Sequence, residues 1–166
     1  MFRRLEDFAE DFQDERSGTL KVLRALTDES LSQAIVPGGR TLGFLGWHIT
    51  GSFREMLGLL GLTPDGPEQG APVPASAAEI AAAYDAASAS ALTAVMNTWS
   101  DDMLEDDVQM YGLTWKRGFV LDVLVRHEAH HRGQMTVLMR QAGLAVPGPY
   151  GPGREEWVAM GMEPHP

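Results

Sequence analysis

The sequence predicts an all-α protein, a four-helix bundle, and three observations carry that reading. Four segments repeat apolar residues at steps of three and four, the spacing of one helix face. No segment shows a convincing strand alternation. A stretch from Gly61 to Ala75 holds four Pro and three Gly, which excludes regular structure there. Extended, those residues reach about 50 Å, against about 30 Å for a 20-residue helix. The stretch can therefore return along the whole molecule and set the helices it joins parallel. A single domain over 1–166 is expected, long enough to bury one core.

The first helix is read across residues 2–27 from Phe2, Leu5, Phe8, Phe12, Leu20, Leu23 and Leu26. Arg16 interrupts the pattern and reads as a helix-edge residue, with a carboxylate partner as the alternative; Gly18 weakens the helix. Pro37-Gly38-Gly39 closes the following connection. The second helix runs from Thr41 to about Leu60, with Leu45, His48, Ile49, Ser52, Met56 and Leu60 on its inner face. Ser76-Ala-Ala-Glu79 is a capping-box pattern opening the third helix, packed through Ile80, Tyr84, Leu92, Val95, Met96 and Trp99. The acidic Ser100–Gly112 reads as a loop with an extended run at Val108–Tyr111. Thr114 is the expected N-cap of a long fourth helix, Trp115 to Ala142, closed by Gly143. The Pro/Gly-rich tail turns helical or irregular, with Tyr150 and Trp157 tucked over the bundle.

Composition narrows the function. There are no cysteines, so any metal must be held by His, carboxylate or water, and any thiol must arrive with a substrate. A net charge of −10 argues against binding nucleic acid through phosphates. The charged opening shows no signal-peptide pattern, and no apolar run approaches a membrane span. A cytoplasmic location is expected.

The fourth helix carries the chemistry. Its stripe runs Val120, Leu124, His127, His131, Met135 and Leu138. Two of the six are His at i and i+4, so both imidazoles leave one face, a natural chelate for a divalent ion. A lone His on an apolar face is ordinarily a packed core residue; a pair, with His130 beside it, favours a metal. His48 on the second helix is the best third ligand, and Glu155 or Glu156 are looser alternatives. His127-Glu128-Ala129-His130-His131 also matches H-E-x-x-H, in which Glu128 would be the general base of a zinc metalloprotease. The extended metzincin pattern fails at Gln134 and Val137, and Glu128 lies about 100° round the helix from its neighbour.

His127-Glu-Ala-His-His131-Arg-Gly-Gln134 resembles the HxxxHRGQ signature of the DinB/YfiT-like superfamily. LGWHIT around His48 resembles that family's second-helix ligand segment, and PGPYGPGREEW its P-x-Y-G-P close. The likeness covers essentially the whole chain. It implies an up-down-down-up four-helix bundle, a homodimer, and one divalent metal held by His48, His127 and His131. Arg132 and Gln134 match the signature. Gly133 is expected to allow close helix packing and Gln134 to hydrogen-bond near the site. His130 lies outside the pattern, about 60° from His127, as an outer group or an alternative ligand.

Three neutral imidazoles leave the ion's charge to water or substrate. The resemblance implies a metal-dependent enzyme with an open coordination position, a thiol-dependent S-transferase or a hydrolase. Its expected partners are a small-molecule substrate and a low-molecular-weight thiol. Zinc or nickel is the expected metal, with iron or manganese as alternatives. The competing readings are a bundle that binds metal or ligand without chemistry, and a structural dimer with packed histidines.

Overall fold

The computed structural model describes residues 1–164. Four long helices form the body: α1 (Leu5–Arg24), α2 (Leu42–Gly58), α3 (Ala77–Thr98) and α4 (Arg117–Gln141). A short hairpin, β1 (Asp107–Met110) with β2 (Leu113–Lys116), precedes α4, and a six-residue α5 (Arg154–Ala159) closes the described chain. Two 3₁₀ turns, Glu29–Ser32 and Asp101–Glu105, complete the elements.

The termini of the helices fix their directions. The amide of Ala77, opening α3, donates to Asp28 just past α1. The amide of Leu5, opening α1, donates to Asp101 just past α3. Thus α1 and α3 are antiparallel. Phe2 donates to the carbonyl of Gly118, so α1 and α4 start together. A methyl placed on Gly46 would lie 3.0 Å from Leu23 and 3.1 Å from Ile80. The start of α2 therefore meets the end of α1 and the start of α3. The order is up-down-down-up, with α2 and α3 parallel, as the length of the 61–75 stretch predicts.

Helices α2 and α3 begin where a side chain can cap them. Thr41 accepts from the amide of Phe44 at 3.1 Å, and Ser76 accepts from Glu79 at 3.4 Å; each satisfies an amide that the helix leaves orphaned. The predicted stripes point into one core: Phe8, Phe12, Leu23, Leu45, Ile49, Met56, Ile80, Tyr84, Val95, Val120, Leu124, Met135 and Leu138 are buried. Met96, expected inside, is 41% exposed, and Leu92 only borders the core.

The architecture departs from a pure four-helix bundle at the hairpin and at α5. Thr114 does not cap α4; it faces Gln109 across the hairpin, accepting from its amide at 2.9 Å. A two-residue turn makes this possible. Tyr111 and Gly112 both take positive φ, 52° and 78°, which suits the right-handed twist of a tight hairpin. Trp115 lies edge-on to Phe119 of α4 at 5.2 Å.

Arg16 has the carboxylate partner that was the alternative reading: it pairs with Asp85 of α3 and donates to Ser88 Oγ at 2.9 Å. Gly18 weakens α1 for a reason. A side chain there would meet Pro149 at 3.3 Å and the Arg132 guanidinium at 3.4 Å. Gly133, by contrast, faces open space; the expected close helix approach at that position is not made.

Candidate metal centre

His48 of α2 and His127 and His131 of α4 meet between the two helices. Their ligand nitrogens all lie within 4.8 Å of one another. His127 Nε2 is 3.1 Å from His48 Nε2 and 3.1 Å from His131 Nε2. Among the described residues these are the three that form such a group. Glu155 pairs with Arg140, and Glu156 accepts from the amides of Gly148 and Gly153, so neither carboxylate joins the cluster.

The spacing suits a common ion better than it suits mutual hydrogen bonding. A neutral ring nitrogen carries either a proton or a lone pair, so three converging Nε2 atoms cannot all satisfy each other. A metal at about 2.0–2.1 Å from each nitrogen separates ligand atoms by roughly 3.0–3.4 Å, and the observed 3.1 Å falls in that interval. His131 Nδ1 lies 2.8 Å from Gln134 Oε1. That bond places the proton on Nδ1 and leaves the Nε2 lone pair facing its partners. Gln134 in turn donates to His130 Nε2 at 3.2 Å. His130 is thus an outer group linked to the cluster through Gln134, and its own ring stands 4.8 Å from that of His131.

The electrostatics favour neutral rings. Burial pushes His127 down to about 4, helped by His131, His48, His130 and Arg40. Burial also lowers His48 and His131, and Arg40 adds to both. At neutral pH all three present lone pairs without first losing a proton.

His48 also lines a cleft of about 1140 Å³, shared with Phe44, Trp47, Arg54, Glu55 and Tyr111. The ring of Phe44 stacks on that of His48, 10° from parallel at 5.8 Å. Tyr111, at the tip of the hairpin, donates to Glu55 at 2.9 Å and so ties the hairpin to α2 across the cleft.

Glu128 sits elsewhere. It is 1% exposed, accepts a hydrogen bond from Tyr84 of α3, and leaves Oε2 without a partner. Burial raises its pKa, and burial with the adjacent carboxyl raises that of Tyr84 well above its usual value. It is absent from the lining of the cleft. Beside it, Arg132 is buried against α1. It donates at 3.0 Å to the Glu15 carbonyl and at 3.0 Å to Thr19 Oγ1, and also bonds the Glu15 carboxylate and the Tyr150 hydroxyl. Tyr150 is therefore pinned to the bundle although 72% exposed. The hairpin residues of the cleft, Tyr111 and Gln109, escaped the sequence reading; the Tyr-Gly turn was the one local signal that could have found them.

These features define a helical bundle with a three-imidazole centre able to coordinate a metal ion. The chain belongs to the DinB family, whose model matches residues 1–164. It is 42% identical over 163 residues to the uncharacterized protein YrdA of Bacillus subtilis (strain 168), covering 98% of each chain. The crystal structure of a DinB-like protein from Bacillus cereus ATCC 10987 superposes with a TM-score of 0.85 at 42% identity. That match covers 89% of this chain and 99% of the other. A DinB-like protein of Bacillus subtilis, YjoA, shares the fold at 15% identity. Its TM-score is 0.63, with 82% of this chain and 92% of that one covered.

Proposed function

We propose that this chain is a metal-dependent enzyme of the thiol S-transferase or hydrolase type, with His48, His127 and His131 as its metal ligands. The observation that carries this reading is the convergence of three neutral imidazoles beside a cleft large enough for a small-molecule substrate. A divalent ion held there would lower the pKa of a thiol or a water ligand and present a nucleophile at neutral pH. Zinc or nickel suits three imidazoles, with iron or manganese as alternatives. The absence of cysteine means that a thiol would be supplied by a cosubstrate.

The chain's own residues do the positioning. Gln134 fixes the tautomer of His131, Phe44 buttresses the ring of His48, and the hairpin walls the cleft through Tyr111, tied to Glu55 of α2. A general base at Glu128, as in a metalloprotease, draws no support from a carboxyl buried against Tyr84. A cytoplasmic homodimer completes the proposal. Among the described residues no helix is long and apolar enough to cross a membrane.

The test is elemental mass spectrometry on untagged protein never exposed to a nickel column, with His48→Ala and His127→Ala alongside. About one metal per chain, lost in both variants, is expected. Thiol transfer to an electrophile should then be lost in His127→Ala. Retention of metal by His48→Ala would refute the ligand set, and activity surviving complete metal removal would refute the mechanism. Light scattering tests the dimer.

A further inference from the structure

We propose that Arg40 is the substrate-recognition residue of this centre and that the substrate carries an oxyanion, a carboxylate or a phosphate. The inference rests on the metal-centre reading and names the class of molecule that the cleft would take.

Arg40 precedes α2 and lies over the ring of Phe44, its guanidinium carbon 5.4 Å from the ring centroid. Phe44 in turn stacks on His48. A cation, an aromatic ring and a ligand imidazole thus form one chain of contacts, in which Phe44 and His48 line the cleft and Arg40 adjoins it through Phe44.

Arg40 stands immediately before Thr41, the N-cap of α2, where the helix dipole is positive and a cation is disfavoured. Among the described residues no carboxylate pairs with it, although the chain holds 23 acidic residues. Arg54, which does line the cleft, is paired with Glu68 at 3.5 Å. A divalent ion on three neutral ligands would add a second positive charge beside Arg40. Two unneutralised cations flanking Phe44 and His48 of the cleft wall are complementary to an anionic ligand. The planar guanidinium matches the two oxygens of a carboxylate or phosphate. Because it rests on the Phe44 ring, less of its rotamer freedom is lost on binding.

The test compares 3-mercaptopropionate with its neutral amide, 3-mercaptopropionamide, by calorimetric titration of zinc-loaded protein. The carboxylate should bind about tenfold more tightly, the size of one charge-assisted hydrogen bond. Arg40→Ala should remove that preference while leaving amide binding unchanged, and Arg40→Lys should restore part of it. 2-Mercaptoethylphosphonate separates the two oxyanions: whichever acid shows the larger Arg40-dependent gain identifies the class. Equal binding of acid and amide by the parent would overturn the proposal, as would a preference that survives in Arg40→Ala. Equal weakening of both probes in Arg40→Ala would also overturn it, by assigning Arg40 a structural role. In each of those cases, binding that still requires zinc and His127 leaves the metal centre intact. A protein that takes up none of zinc, nickel, iron and manganese overturns both readings.

Discussion

Arg132→Met removes the hub that ties α1, α4 and the tail together, and the structure sets the size of the effect. The Arg132 side chain is 1% exposed and that of its partner Glu15 is 14% exposed, so solvent cannot replace what is lost. Methionine restores much of the volume but leaves four acceptors: the Glu15 carbonyl, Thr19 Oγ1, one side of the Glu15 carboxylate and the Tyr150 hydroxyl. Breaking one partner of a buried ion pair costs about 3–5 kcal/mol. An unfolding entropy of about 2.1 cal/mol/K per residue gives roughly 0.35 kcal/mol/K for this chain, so the melting temperature should fall by roughly 9–14 °C. Urea unfolding followed by tryptophan fluorescence gives the free energy. The double variant Glu15→Leu/Arg132→Met should be less destabilised than the sum of its singles, because the uncompensated carboxylate is gone. A loss under 1 kcal/mol in the single variant, or strict additivity in the cycle, would refute the hub.

Gln134→Ala should weaken zinc binding about 10–100-fold, the usual cost of losing a group that orients a ligand imidazole, with little change in metal-free melting because Gln134 is exposed. Competition against a chelator measures it, and an affinity within twofold of the parent would dismiss the role. The metal-free protein should lose stability as pH falls from about 6.5 to about 4. In that window the unfolded chain takes up the proton that folded His127 refuses; a flat stability profile from pH 7 to 4 would contradict the buried, neutral ring. Glu128→Gln should work in the opposite direction. The folded carboxyl is raised above 4.5, so its contribution is present below that pH and lost as pH rises through its folded pKa. The amide keeps an acceptor for Tyr84 and removes this dependence, so denaturation at neutral pH should show the variant at least as stable as the parent. Marked destabilisation there would show an ionised carboxylate at work.

Much of the architecture can be read in the sequence because helix period and breakers are local signals. The four stripes, the stops at Gly39 and Gly143, and the parallel helices implied by the 61–75 stretch all follow from spacing and chain length. The extended run expected at Val108–Tyr111 forms β1, but its partner strand did not follow. Leu113-Thr-Trp-Lys116 looks like the start of a helix, and pairing with Asp107–Met110 decides otherwise. Gly18 and Gly133 could not be ranked from the sequence. Both interrupt helices, yet one makes room for Arg132 and Pro149 while the other faces open space.

The sequence by itself determined which imidazoles share a face, since His127 and His131 are one helical turn apart, and it nominated His48 through its place on the second stripe. Only the tertiary structure decided that α2 and α4 lie side by side, with His127 Nε2 3.1 Å from the Nε2 atoms of both His48 and His131. It also sent Glu128, one residue from a ligand, into the core against Tyr84, and it stood Arg40 over Phe44, a residue of the cleft wall. The physical reason is the reach of each constraint. Periodicity fixes a side chain's direction relative to its own helix axis, whereas the neighbour it meets depends on how separate helices are oriented and packed.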